Sequence, residues 1–223
     1  MKERHARNIP AVSEKGMEKL ASSHVFVAGC GGLGGNVIEC LARAGVGRMT
    51  VADGDVFEES NLNRQILSLP ENIGSSKALA AKERIKAIDP SISVTAVCEF
   101  LTKENAASLM EGADIVIDAL DSIEARLVLE GAAAKAGIPL IHGAVSGWDL
   151  QVMLVPPGSG LLHDIYEGAE APVKPAVLSF TPAVCAGMEA SLAIAYLTEG
   201  SSALDGKMLS MSLKDMNSGI ISL

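Results

Sequence analysis

Residues 25–47, VFVAGCGGLGGNVIECLARAGVG, constrain this chain more than any other stretch. An apolar run enters a glycine-dense turn, and the turn enters a helix. Gly29, Gly31 and Gly34 stand at the spacing G-x-G-x-x-G. The first glycine permits a tight turn, the second lets backbone meet phosphate, and the third lets the helix pack on the strand. The helix start offers an anion unpaired N–H groups and the positive end of a dipole. Asp53 comes 19 residues after Gly34, at the end of the next expected strand. A carboxylate there accepts hydrogen bonds from ribose hydroxyls. The pattern specifies a nucleotide far better than it specifies which one, and a ligand-free glycine turn is the alternative.

The same strand–helix rhythm runs along the chain. Strands are expected at 24–28, 49–52, 93–97, 114–118, 139–144 and 151–155. Helices are expected at 33–43, 75–88, 103–110 and 123–136, with a polar, irregular segment from 53 to 74. This alternation predicts an α/β, Rossmann-like, doubly wound, mainly parallel sheet with helices on both faces. Residues 156–180 carry several Pro and Gly and read as a long surface loop. Thr181-Pro182 predicts a helix start, with Thr181 as N-cap and Pro182 at the first helical position, running to about residue 198. KMLSMSL and SGIISL at the end predict additional C-terminal edge strands.

Composition narrows the function classes. With 223 residues, 48% hydrophobic and 20% charged, the chain can build a substantial core in one large domain. A net charge of -9 and 3% aromatic residues argue against a general nucleic-acid surface. The start, MKERHARNIPAVSEKG, is too polar for a signal peptide. No run of 18 apolar residues is present, so no membrane span is expected. Cys30, Cys40, Cys98 and Cys185 form no CxxC pair, which predicts neither a disulfide framework nor zinc and points to a reducing cytoplasm.

The segment after Asp53 separates ATP from NAD. DGDVFEESNLNRQILSLPENIGSSK holds Asn61, Asn63, Arg64 and Gln65 within five residues, then Lys77 at a helix start. An NAD-binding half-domain has no need of this polar cluster. Two cations near a phosphate chain stabilise the charge that builds as pyrophosphate is displaced. Taken singly, Arg64 and Lys77 also read as ordinary surface charges on a solvated loop.

GCGGLGG, DGDVFEESNLNRQ, Lys77, the VIDALD stretch and the RHARN start together resemble the ThiF/MoeB/HesA family, bacterial relatives of the ubiquitin-activating enzymes. The resemblance is detailed over residues 4–155 and looser over 182–198. It implies a single adenylation domain: an N-terminal arm and helix at 1–20, a nucleotide-binding core at 24–155, a crossover loop at 156–180, and a C-terminal helix and strands at 181–223. It implies ATP and Mg²⁺ as cofactors and adenylation of the C-terminal glycine of a small ubiquitin-fold sulfur carrier ending in Gly-Gly, with release of pyrophosphate. The nucleotide-binding positions it implies are Gly29, Gly31, Gly32, Leu33, Gly34, Asp53, Asp55, Asn61, Arg64, Gln65 and Lys77. Arg7, Asn61, Arg64, Lys77 and Asp121 form the implied catalytic set, with Asp121, the second acid of DALD, associated with magnesium. Asp121 also reads as a helix N-cap, and Asp118 reads as structural. Arg7 matches an arginine that reaches the ATP of a neighbouring subunit, implying a homodimer with two composite sites. By itself Arg7 reads as part of a solvated terminus.

The chain also departs from the pattern. Many members carry two CxxC pairs for a structural zinc. Here LLHDIYEG stands where the first would fall, with His163 and Tyr166 near the cysteine positions, and residues 200–223 supply no second pair, so no zinc is expected. The crossover-loop cysteine of some members falls near Lys174. Cys185, just inside the following helix, reads as a core residue, or as a thiol activated by the helix start. Cys30 reads as packing. Trp148 reads as a channel lining or a half-exposed packing residue, and lone His142 as structural. The alternatives are adenylation of a small-molecule or tRNA carboxylate, a regulatory pseudoenzyme, and an NAD-dependent oxidoreductase.

Overall fold

The computed structural model describes residues 3–169 and 176–223; the stretch around Lys174 lies outside them. Eight strands are described: β1 (His24–Ala28), β2 (Arg48–Ala52), β3 (Ser93–Val97), β4 (Ile115–Asp118), β5 (Leu140–Ser146), β6 (Asp149–Val155), β7 (Lys207–Ser212) and β8 (Asn217–Ser222). They form one sheet in the order β3-β2-β1-β4-β5-β6-β7-β8. The pairs from β3 to β5 are parallel. From β5 to β8 they are antiparallel, so the edge strands expected from the tail are a hairpin added to a doubly wound sheet.

The helices are α1 (Ile9–Val12), α2 (Glu14–Ser22), α3 (Gly32–Ala44), α4 (Lys77–Ile88), α5 (Ala106–Leu109), α6 (Ile123–Ala136), α7 (Leu161–Tyr166) and α8 (Phe180–Glu199). Alternation along the buried strands assigns the two faces. Val25, Val27, Ile115 and Ile117 pack with Ile38 and Leu41 of α3, Ile85 of α4 and Ala190 of α8. Phe26 and Val116 pack on the other face with Met110, Leu129 of α6 and Leu162 of α7. Fully burying a side chain such as Phe26 stabilises by about 2–3 kcal/mol. Glu39 of α3 accepts hydrogen bonds from Arg43 and, through both oxygens, from Arg84 of α4. That fork joins two neighbouring helices, and its half-exposed Arg84 limits it to about 1 kcal/mol.

Four details differ from the sequence reading. The helix expected at 103–110 contracts to the single turn of α5, because the Thr102 hydroxyl and the Asn105 side-chain Oδ1 accept the nearby backbone N–H groups. Thr181 is not an N-cap: α8 starts at Phe180, and the buried Thr181 hydroxyl donates to the Gly147 carbonyl 2.8 Å away. The expected loop at 156–180 contains α7. Finally, α8 is long and apolar enough to cross a bilayer by length and composition, although it holds no unbroken 18-residue apolar run. Its Cys185, Ala186, Glu189, Ala190 and Ala193 are instead buried inside this fold.

Candidate active site

The carboxyl ends of β1 and β4 lie side by side, while their chain continuations leave on opposite faces of the sheet. Such a switch point opens the crevice in which doubly wound sheets bind ligands. The glycine turn closes one wall of it. Gly29 has φ +96°, and a Cβ there would stand 2.6 Å from the Ala119 carbonyl oxygen. A Cβ on Gly34 would stand 1.8 Å from the Gly29 oxygen, so α3 approaches the end of β1 more closely than any side chain allows. The first turn of α3, with Leu33 buried beneath it, points its free N–H groups at the crevice.

Asp53, just past β2, is fixed to this turn. One carboxylate oxygen accepts the Cys30 N–H at 2.7 Å and the other accepts the Asp55 N–H at 2.8 Å. Burial pushes its pKa up, while these two N–H donors pull it down. The carboxylate expected to meet a ribose is therefore also a stitch between β2 and the glycine turn, and each of its oxygens keeps a further lone pair beyond these two bonds.

The SNLNRQ block folds against the same turn. A Cβ on Gly31 would stand 3.5 Å from the Gln65 amide nitrogen, and one on Gly32 would stand 3.6 Å from the Arg64 carbonyl oxygen. Gln65 is 6% exposed, and its Oε1 has no hydrogen-bond partner among the described residues. A buried acceptor left open beside a phosphate-type cradle fits a donor brought by a ligand. Asn61 is buried and its Oδ1 accepts the Glu58 N–H, so this residue shapes the turn. Arg64 is half-buried and donates to the Ser60 carbonyl and the Asn63 side chain. Lys77 is 7% exposed, at the first position of α4, and its ammonium lies 3.0 Å from the half-exposed Asp55. A cation is disfavoured at a helix N-terminus, so Lys77 sits against the helix field, poised for an anion.

Asp121 is exposed just beyond β4. The capping alternative is answered by Ser122, whose hydroxyl accepts the Ala125 N–H at the start of α6. No hydrogen bond or ion pair engages the Asp121 carboxylate among the described residues. No group of three or more His, Cys, Asp or Glu fit to hold a metal ion occurs among them either. One carboxylate beside a phosphate cradle suits Mg²⁺, which takes few protein ligands and completes its shell with phosphate oxygens and water. Arg7 lies elsewhere. Its neighbour Asn8 donates to the carbonyls of Arg43 and Ala44, at the far end of α3 from the glycine turn. The 13 residues of α3 separate those ends by about 18 Å.

Sequence reasoning missed a buried polar cluster beneath this crevice. Asp118 is fully buried, 2.7 Å from His142 Nδ1. The Tyr166 hydroxyl meets His142 Nε2 at 3.1 Å and accepts from Gln151 and Arg126. These partners assign the His142 proton to Nδ1, donating to Asp118, with Nε2 accepting from Tyr166. Burial lowers the His142 pKa, in keeping with a neutral ring. Glu189 of α8 is also fully buried, with neither carboxylate oxygen partnered among the described residues, and burial raises its pKa well above the usual range. Cys185 is buried and its pKa is likewise raised by burial, which makes it a core residue and not an activated thiol. Trp148 is 43% exposed and packs against Phe180 with the ring centroids 5.0 Å apart and the planes tilted by 50°.

A family model described as the ThiF family matches residues 3–223. The SAMP-activating enzyme E1 of Haloferax volcanii is 33% identical over 222 residues, covering 96% of this chain and 82% of that protein. The sulfur carrier protein adenylyltransferase of Thermus thermophilus is 42% identical over 144 residues, covering 65% of this chain and 53% of that one. The crystal structure of a selenomethionine form of PaaA superposes with a TM-score of 0.86 at 25% identity, covering 99% of this chain and 72% of that one.

Proposed function

This chain belongs to the ThiF family and is an adenylyltransferase of that type, and on that premise we propose that it adenylates the C-terminal glycine of a small ubiquitin-fold sulfur carrier ending in Gly-Gly. The observation that carries the ATP reading is the packing of Arg64 and Gln65 on the Gly31–Gly32 turn, which a dinucleotide site does not require. The triphosphate lies across the first turn of α3, with the ribose toward Asp53. Lys77 and Arg64 face the phosphates. A carboxylate oxygen of the carrier attacks the α-phosphorus, the bond to the β-phosphate oxygen breaks, and pyrophosphate leaves with its electron pair. Lys77 and Arg64 stabilise the charge that gathers on the departing oxygens. Asp121 would hold Mg²⁺, which supplies further positive charge to the phosphates. The carrier's Gly-Gly end threads a narrow approach because it has no side chains to clash.

Arg7 completes the site of a second copy. Its arm is tied to the far end of α3, beyond reach of its own glycine turn, which supports a homodimer with two composite sites. A cytoplasmic setting goes with this reading, since all four cysteines are free thiols. The test is calorimetric titration with ATP and Mg²⁺ beside NAD, followed by pyrophosphate exchange with a Gly-Gly carrier. Magnesium-dependent ATP binding that weakens in Asp121→Ala is expected. Binding of NAD in place of ATP, or full adenylation by folded Arg64→Ala or Asp121→Ala, overturns the proposal.

A further inference from the structure

One face of α6 grips two things at once. Arg126 and Glu130 stand four residues apart and so point the same way. Glu130 accepts the N–H groups of Leu162 and His163 at 2.8 and 3.0 Å, holding the start of α7. Arg126 donates to the Tyr166 hydroxyl at 2.8 Å, holding the end of α7. With its other nitrogens the same guanidinium donates to the Leu120 carbonyl, at 3.2 and 2.7 Å. The Leu120 N–H, in turn, donates to Asp118 at 3.1 Å. The peptide groups on both sides of Leu120 are therefore held by the buried cluster, and the next residue is Asp121.

We infer that Arg126 and Tyr166 form a latch that sets the position of Asp121 according to how α7 is seated on α6. Arg126 is thus a positioning residue, acting on the nucleotide site through the Leu120 carbonyl, and Tyr166 holds Arg126. The Tyr166 hydroxyl spends one proton and two lone pairs on His142, Gln151 and Arg126. Losing the hydroxyl removes the hydrogen bond that fixes Arg126 to α7, while the ring stays beneath the guanidinium, 5.4 Å from its centroid. This inference rests on the assignment of Asp121 to magnesium.

The experiment measures ATP affinity by calorimetry with Mg²⁺ and again with EDTA, in the unaltered protein and in Tyr166→Phe, Arg126→Lys and Glu130→Gln, with a thermal melt of each. The unaltered protein is expected to bind more tightly with Mg²⁺. Tyr166→Phe and Glu130→Gln are expected to reduce that gain by about three- to tenfold, the range one hydrogen bond is worth, with affinity in EDTA unchanged. Arg126→Lys keeps the charge but lacks the planar fork, so it is expected not to restore the gain. Folded variants that keep the full gain, or lose affinity equally with and without Mg²⁺, overturn the latch. No magnesium gain in the unaltered protein overturns the Asp121 assignment, and the latch with it, before any variant is compared.

Discussion

Replacing Gly34 with alanine tests one of the two closest backbone approaches at a glycine among the described residues. In an isolated helix the change stabilises, by about 1 kcal/mol. Here the new methyl would stand 1.8 Å from the Gly29 carbonyl oxygen and 2.7 Å from its carbon. Ordinary contact begins near 3.4 Å, so α3 and the end of β1 must part by more than an ångström. Neither partner is a flexible side chain, and the shift spreads into Val37, Ile38 and Leu41, all fully buried. Overpacking of this severity costs about 3 kcal/mol, and the helix preference returns about 1, leaving a net loss of roughly 2 kcal/mol. For a chain of this size that is a fall in Tm of about 4–8 °C. Gly32→Ala is the control in the same helix, because its methyl would meet only Pro182 and the Arg64 oxygen, at 3.5 and 3.6 Å. Gly32→Ala is therefore expected to melt within about 1 kcal/mol of the unaltered protein. Circular dichroism melts without nucleotide read both. A Gly34→Ala protein as stable as the parent would refute the close-approach argument.

Three further outcomes are expected. Burial raises the pKa of Glu189 well above the value of about 4.3 it has in the unfolded chain. Its contribution to stability is full below that point and declines as pH rises, so the Tm advantage of Glu189→Gln should grow between about pH 5 and pH 8; a flat difference refutes it. Mixing Arg7→Ala with Asp121→Ala subunits should restore about one quarter of parental adenylation, since half of randomly paired dimers hold one intact composite site. No recovery would place Arg7 at its own site, and full activity of Arg7→Ala alone would place it outside the chemistry. Lys77→Ala should slow pyrophosphate exchange by about 100-fold or more while barely moving Tm, because the Asp55 it leaves behind is half-exposed; a loss under tenfold would make Lys77 structural.

Much of the crevice was legible because it is built from local pattern. The glycine spacing, the acid at the end of β2 and the SNLNRQ block each lie within one short run of chain. The buried cluster was not legible, because Asp118, His142, Gln151 and Tyr166 come from four elements and only packing brings them together. Tyr166 lies in a stretch of six helical residues, too short to show a period among prolines and glycines. Thr181 carries a cap signature, yet its hydroxyl found a carbonyl on another element first. Glu189 was hidden by the apolar residues around it, since nothing in a sequence says that a lone acid in such a helix is swallowed whole.

The length of α3 has a kinetic consequence. In the composite site proposed above, an arginine anchored about 18 Å from the glycine turn of its own chain would make a single copy half a catalyst. At high dilution the rate should then rise with the square of protein concentration and become linear once pairing is complete, so abundance itself would act as a regulator.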